Sequence, residues 1–426
     1  FSDFSLTGGR AHPERAWGPV LGLLYTLDQS REAGTRATAD LRLTAQLPVL
    51  AEGDVVASRL VIDGRREPIA GTLGPDGAWT LMWTVPDLDV GAERAYRVEV
   101  DTRTTTGTVT GSAEGVIRAA PAGDRPFVLG SLSCMKNRGG PVRWDRLGMW
   151  FPHEDLVERL AAHDPDMLFF AGDQIYEGDI TPPDLSPLGV AIPDYHSKWQ
   201  RFLWAFGELT ARIPTVTIPD DHDVFHGNLW GSGGVRARKS KGVRAQDAGG
   251  YKMPAAFVNV VHATQVSHLP PTRVAPVIGQ GITTYTTSLA WGGVDFAVID
   301  DRMWKDAPRN AAPEGNWVNG WPQADGFSLK EPHAPDASLW GEEQEAFIAQ
   351  WGSGERRTGT WTRVVLAQSP LAGLHTLPQG TKNDAGIPSQ AIPGSGEYPP
   401  DDRPVGDSDT NGWPTAGRDR AVRLLA

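Results

Sequence analysis

The chain has 426 residues, of which 40% are hydrophobic and 22% charged, and its formal net charge is −12. That length exceeds one ordinary core and predicts two domains, while the acidic balance argues against a nucleic-acid binder held by phosphate contacts. No apolar stretch approaches the ~18 residues that span a bilayer, and Cys134, the single cysteine, rules out an intramolecular disulfide.

Residues 38–118 read as β structure. TADLRLTAQL, DVVASRLVID, AWTLMWTV, RAYRVEV and TGTVTGSAEGVI alternate apolar and polar positions between turn-formers at Glu52-Gly53-Asp54, Pro75-Asp76-Gly77 and Gly107. This spacing predicts a β-sandwich over residues 1–124. The Pro/Gly-containing segment 119–126 reads as a linker into a second domain, 125–426.

There the texture changes to α/β. FVLGSLSC is a short buried strand. HEDLVERLAAHD places Leu156, Val157 and Leu160 on one helical face, and MLFFAGD returns as a strand. YHSKWQRFLWAFGEL spaces Trp199, Phe202, Leu203 and Phe206 as a helix and leads into TVTIPDDHD. Residues 227–290 and 302–338 are rich in Gly, Pro and Trp without clear period and read as long functional or lid-like loops. VDFAVIDDR is a further strand, LWGEEQEAFIAQW a helix, TRVVLAQSP a buried strand and GRDRAVRLLA an amphipathic helix. The chain opens on Phe1 and ends within that helix, as a fragment or a processed chain is expected to.

Four of these strands end in chemistry-bearing side chains: Cys134; Asp173; Asp220, Asp221, His222 and Asp223; and Asp300, Asp301 and Arg302. Strands side by side in one sheet present their carboxyl ends along one edge, where ligand sites of α/β sheets form. Asp173 either bridges cations or closes a turn. Three carboxylates and an imidazole within four residues repel one another unless a cation binds, and hard cations take oxygen ligands whereas His suits transition metals or proton transfer. His226 and Asn228 follow closely and can extend the ligand set. Cys134 is either a buried small hydrophobe or a thiolate ligand, which favours iron or zinc over calcium or magnesium. Arg302 either clamps a phosphate oxygen in a forked geometry or pairs with Asp300 or Asp301. Trp144, Trp150, Trp230, Trp304 and Trp317 lie in the loops near these residues, and His375 follows a strand. No GxSxG elbow, P-loop or GxGxxG fingerprint is present.

Together these motifs resemble the alkaline phosphatase D family of calcineurin-like metallophosphoesterases. Ser133-Cys134, Gly172-Asp173-Gln174-Ile175-Tyr176-Glu177, Asp220-Asp221-His222-Asp223, the Asp300/Arg302 strand end and Gly341-Glu342-Glu343-Gln344 carry the resemblance in order, together with NGWPTAGRDRAVRLL, over about residues 125–426. The resemblance implies a calcineurin-like α/β domain with a mixed central sheet flanked by helices. It also implies hydrolysis of phosphate monoesters or diesters by a metal-bridging hydroxide. Asp173 is then the bridging ligand, Cys134 the ligand of the softer ion, Asp221 a ligand where other metallophosphoesterases have Asn, Asn228 the residue that completes the harder site, and either Tyr176 or Tyr195 a further ligand. Iron plus calcium is the implied pair, with zinc or manganese as alternatives. His222 is the implied acid at the scissile bond, with Arg302 stabilising the phosphoryl oxygens. The family's last metal motif, Gly-Asp-x-His, is expected just beyond Leu425 and is absent from this sequence.

The partner implied is a small-molecule or polymeric phosphate ester, not a nucleic acid, and the location implied is extracellular or periplasmic. No signal peptide is visible. Two rivals remain open at this stage: a phospholipase D-type phosphodiesterase acting on lipids or wall polymers, and a non-catalytic module stabilised by calcium.

Overall fold

Alternating burial builds the first half of the molecule. In β2 (Thr38–Gln46), Leu41, Leu43 and Ala45 are buried on one face while Asp40 and Arg42 stand half-buried on the other. The computed structural model describes residues 18–426 except 19, 30–36, 105–106, 124, 140–146, 239–242, 328–332, 356, 358, 372–374, 379–401, 406–407 and 409–412. Trp144 and the His375 side chain lie outside the described residues.

Strand β1 (Gly22–Asp28) precedes β2, and β3 (Val55–Ile62), β4 (Ile69–Ala70), β5 (Thr72–Leu73), β6 (Thr80–Asp89), β7 (Arg94–Thr104) and β8 (Gly107–Ile117) follow. They form two four-stranded sheets, ordered β1-β2-β6-β5 and β4-β3-β7-β8, with every pair antiparallel. Leu41, Leu43, Trp83 and Val85 of the first sheet share a core with Leu60, Val98 and Val100 of the second. The sandwich expected from the alternation is present.

Strand β1 escapes the sequence reading, which begins the β region at residue 38. Its central five residues are all buried, so it shows no alternation. It lies between the sandwich and the second half of the chain. A side-chain carbon added at Gly22 would sit 2.7 Å from Leu203 Cδ2, Gln29 N–H donates to Ala290 O at 2.7 Å, and Asp28 Oδ1 accepts from Ala290 N–H at 2.9 Å.

The second half is α/β. Strands β9 (Leu129–Leu132), β10 (Met167–Phe170) and β11 (Thr215–Thr217) form a parallel sheet ordered β11-β10-β9. Helix α1 (Glu154–Ala162) joins β9 to β10, and α2 (Leu188–Thr210) joins β10 to β11, the crossover connections parallel strands require. Helix α2 buries Trp199, Phe202, Leu203 and Phe206, as its spacing predicts. Phe170 of β10 meets Phe202 and Phe206 edge-on, at 4.9 Å and 5.1 Å between ring centroids.

Helix α3 (Ala255–Gln265) lies inside the segment read as an unstructured loop. Phe257, Val258 and six of the seven residues from Asn259 to Gln265 are buried, the polar His262, Thr264 and Gln265 among them, so the helix lacks the amphipathic stripe that marks a surface helix. Strands β12 (Val277–Ile278) and β13 (Ile282–Thr283) form a small hairpin.

The strand preceding Asp300 does not join the other three. Strands β14 (Thr287–Trp291), β15 (Val294–Val298) and β16 (Thr362–Leu366) make a second, mixed sheet, with β15 antiparallel to β14 and parallel to β16. Two glycines, Gly292 and Gly293, turn the β14–β15 hairpin, and the short helix α4 (Pro308–Ala311) and helix α5 (Glu342–Ser353) precede β16. The two sheets meet through Phe127 and Phe296, 5.7 Å between centroids, and Trp291 Nε1–H donates to Asp166 O at 3.1 Å. Strands β17 (His375–Pro378) and β18 (Asp402–Val405) pair separately. Helix α6 (Thr415–Leu425) contributes Ala421 to a cluster with Trp340 and Ile348. Among the described residues, no helix is long and apolar enough to cross a membrane.

Phe206 is fully buried at the meeting of α2 with β10. Phe206→Ala is expected to lower stability by about 3–5 kcal/mol, the range for large-to-small core changes. Urea unfolding of the two proteins reads this, and a loss below about 1 kcal/mol would place the α2–β10 contact outside the cooperative core.

Candidate metal centre

Three parallel strands deliver their carboxyl ends to one place, and a tight turn at β10 sets the geometry. Gly172 has φ 94° and Asp173 φ 55°, a left-handed pair that glycine relieves at its own position. A side-chain carbon at Gly172 would lie 2.5 Å from Asp220 Cβ, so the loops after β10 and β11 touch only because that position is bare. Gln174 bridges the same two strand ends, its Nε2 donating to Phe170 O at 3.3 Å and Ile218 O at 3.1 Å.

The buried carboxylate of Asp223 binds these loops together. Its Oδ2 accepts the backbone N–H of Asp173 and of Asp220, each at 2.8 Å. Its Oδ1 accepts Ile175 N–H at 3.2 Å and Gln265 Nε2–H at 3.0 Å. Asp223 therefore acts as a fastener rather than an open ligand, although sequence alone groups it with its neighbours. Burial still raises its pKa to about 6, against the lowering effect of the donors.

What this fastening assembles is a cluster. One ligand-type atom from each of Asp173, Asp221 and His222 lies within 4.8 Å of the others. His222 N–H donates to Asp173 Oδ1 at 3.3 Å, and His222 Nε2 is 3.9 Å from Asp221 Oδ2. On its other side His222 Nδ1 sits 2.6 Å from Glu177 Oε2, and its ring packs on Tyr176 with centroids 4.2 Å apart.

Cys134 adjoins the cluster. Its N–H donates to Gly172 O at 3.1 Å, and the next residue's N–H donates to Asp173 O at 2.8 Å. The Tyr176 hydroxyl lies beside both the Cys134 sulfur and the Asp173 carboxylate. Cys134 is exposed as a whole residue and belongs to no hydrophobic cluster, although the protein around its thiol still desolvates it.

Burial and mutual repulsion set the titration of the cluster. Asp173 is raised from the ordinary 3.8 to about 7, by desolvation first and then by Asp220 and Asp223, although His222 opposes the shift. The Cys134 thiol is pushed up to about 12 by desolvation and by the Asp173 charge. Desolvation lowers the His222 pKa, but Asp221, Asp173 and Glu177 together outweigh it and hold the imidazole well above its ordinary value. Buried carboxylates at this spacing suit a bound cation, which favours their charged forms. Two carboxylates and an imidazole, with a thiol and a phenol adjacent, form a donor set of transition-metal type.

The remaining sequence candidates divide by geometry. Tyr176 is at the cluster. Tyr195 is not: it is fully buried on α2, its hydroxyl 2.5 Å from Thr264 Oγ1 and accepting from Gln265 Nε2 at 3.2 Å. Asn228 is buried on the loop after the cluster, its Nδ2 donating to Asn319 Oδ1 at 3.2 Å. Arg302 is 1% exposed, and its Nη1 lies 3.0 Å from Asp220 Oδ1, a partner not among the two weighed from sequence. Its Nε–H donates to Leu229 O at 3.0 Å and its Nη1 also meets Gln368. Such placement makes Arg302 a brace for the Asp220 loop and weighs against a clamp on phosphate. Asp300 accepts Tyr285 N–H at 2.9 Å and Thr286 Oγ1–H at 2.6 Å, and also meets Gln344 Nε2. Asp301 accepts the N–H groups of Gln368 and Ser369 at 3.0 Å and 3.1 Å.

Sequence reading gave no role to Glu177, Gln265 or Gln368. Glu177 stands in the quoted Gly172–Glu177 run and Gln368 just past a recognised strand, so position held a signal for both. Gln265 lies on the unrecognised α3 and carried none.

A β-sandwich joined to an α/β unit with an Asp–Asp–His cluster at its parallel-strand ends defines a candidate metal-dependent hydrolase. The sequence model of the PhoD-like phosphatase family matches residues 143–426, and the chain belongs to that family, whose chemistry is phosphoric-ester hydrolysis. Cys134 and the sandwich lie before the matched span. No curated protein matches the chain.

Two outcomes follow. Each Asp223 oxygen takes two donors, so Asp223→Asn presents an amide nitrogen to two N–H groups in either orientation. With an unsatisfied buried donor costing about 1–3 kcal/mol, a loss of about 2–5 kcal/mol is expected, with faster hydrogen exchange at the Asp173 and Asp220 amides. Unaltered exchange there would remove the fastening role.

The second outcome concerns pH in chelated protein. A carboxyl whose folded pKa is raised contributes stability below its unfolded pKa and loses it as pH rises through the folded value. For Asp173 the window runs from 3.8 to about 7. Asp173→Asn should therefore gain on the wild type across that window, read as the difference in urea midpoint. A pH-independent difference would contradict the raised carboxyl.

Proposed function

We propose that this chain hydrolyses phosphate monoesters or diesters at the Asp173–Asp221–His222 cluster. The observation that carries this reading is the convergence of those three side chains within 4.8 Å in a PhoD-like phosphatase chain. Asp173 and Asp221 would hold metal, with Cys134, Tyr176 and Asn228 as further donors. The thiol and phenol suit an iron- or zinc-type ion, and the oxygen donors suit a harder ion of calcium type. Tyr195 is left out of the proposed ligand set because its hydroxyl is engaged by Thr264 and Gln265. Bound metal would supply Lewis acidity and charge neutralisation at the phosphoryl oxygens.

The chain's own contribution centres on His222. Its Nδ1–H donates to Glu177, which fixes the ring and leaves Nε2 as the position that delivers a proton. Packing on Tyr176 limits rotation of the ring. The Glu177 carboxylate, paired with Nδ1, favours the charged imidazole and keeps that proton in place until the leaving-group oxygen develops charge. His222 is then the general acid, with Glu177 as its orienting partner. Arg302 acts by holding Asp220, and through it the loop bearing Asp221.

The test is hydrolysis of aryl phosphates by metal-loaded and chelated protein. Loaded protein should be active and chelated protein inactive. His222→Ala should lower turnover by ~10²–10⁴-fold with metal retained, and the loss should shrink as the leaving group improves. Metal loss in that variant, or equal losses for poor and good leaving groups, would make His222 a ligand instead.

A further inference from the structure

Beside His222 lies a cavity of about 540 Å³, lined by Lys136, Arg138, Tyr176, Glu177, Asp179 and His222 among others. Its Lys136–Arg138 side is used by neither the metal centre nor the proposed acid. Its wall holds two carboxylates and two cations, but the carboxylates are engaged. Glu177 accepts from His222. Asp179 accepts Arg138 N–H at 2.8 Å and also takes Asn137 N–H. Lys136 and Arg138 are both exposed, and Lys136 Nζ stands 5.3 Å over the Tyr176 ring.

The loop carrying these cations is fixed from both sides. Asp179 holds it to the turn after Tyr176, Asn137 O accepts Trp150 N–H at 2.7 Å, and Arg138 forms a β-bridge with Met149. Two cations on a fixed loop therefore border the imidazole of a chain whose net charge is −12. Cations placed against a pocket of an acidic protein raise the local concentration of anions. It borders His222, the proposed acid, whose proton goes to the leaving group.

We infer that Lys136 and Arg138 form a leaving-group subsite for phosphate esters that carry a second anionic group beyond the scissile phosphate. The inference rests on the phosphoesterase reading above and deepens it to a substrate class, the polyanionic esters. Tyr176 contributes the floor, and the subsite acts on binding of the leaving group rather than on the proton at His222.

The experiment compares 4-nitrophenyl phosphate with the same ester bearing a ring sulfonate, using metal-loaded protein and the Lys136→Gln/Arg138→Gln double variant. The wild type should favour the sulfonated ester in kcat/KM, chiefly through KM, and the preference should shrink as salt is raised. In the double variant that preference should drop about fivefold or more, the scale of two partly solvated ion pairs. A parallel arm measures calorimetric binding of phenylphosphonate and its sulfonated analogue, neither of which is hydrolysed. No turnover of either ester, with selective and salt-sensitive binding of the sulfonated phosphonate, would sink the phosphoesterase reading but keep the anion subsite. Equal handling of charged and uncharged partners by the wild type in both arms, or a preference that survives the double substitution, would overturn the subsite.

Discussion

Everything at the site depends on one buried carboxylate. Asp223 accepts hydrogen bonds from the residue that ends the β10 loop, from the residue that begins the β11 loop, and from Gln265 on α3. Without that hub, two loops rich in negative charge would have no reason to approach, because Asp173, Asp220 and Asp221 repel one another across the gap. The hub is itself supported from behind. Gln265 also donates to Tyr195, which is hydrogen-bonded with Thr264. The next residue on α2, His196, is hydrogen-bonded to Gly77 O of the sandwich at 2.8 Å. The sandwich is thus mechanically connected to the acidic loops through a chain of buried polar contacts.

A second set of polar residues frames the opposite side. Arg302 braces Asp220, Asp301 caps the chain after β16, and Asp300 links β14 to the start of α5 through Gln344. Gln344 in turn accepts Gly341 N–H at 3.2 Å and so caps α5. Gly341 is bare because a side-chain carbon there would lie 2.5 Å from Trp304. Carboxylates in this protein therefore divide by role. Those whose oxygens are filled by N–H and O–H donors, such as Asp223, Asp300 and Asp301, build the frame. Asp173 and Asp221, with His222, are the groups the frame brings together.

This division accounts for what the sequence could and could not disclose. The strand ends were readable because a short apolar run that stops at Asp or Cys is most simply a buried strand reaching the sheet edge, and all four runs contain strands. The fourth strand went to a different sheet because its neighbours are set by the β14 hairpin and the α5 crossover, neither of which is a property of the run itself. Within Asp220-Asp221-His222-Asp223 the roles were not legible: a single tight helical turn sends adjacent side chains in different directions, and three identical residue types meet three different partners. Helix α3 and strand β1 were missed for one reason, that elements buried on every side carry no periodic polar face. Tyr176 and Tyr195 were indistinguishable from composition. The structure separates them because one sits in the loop that follows β10 and the other within a packed helix.

That the Asp223-held loops present a metal centre made by Asp173 and Asp221 beside His222 is tested most directly by metal content and affinity after reconstitution, compared among the wild type, Asp173→Asn and Asp221→Asn, with the exposed Glu52→Gln as control. Loss of a metal's outer supporting groups alone typically costs about 10–100-fold in affinity, so each cluster substitution should weaken binding by at least about 10-fold while the control binds as the wild type does. Wild-type stoichiometry and affinity in both Asp173→Asn and Asp221→Asn would contradict that centre.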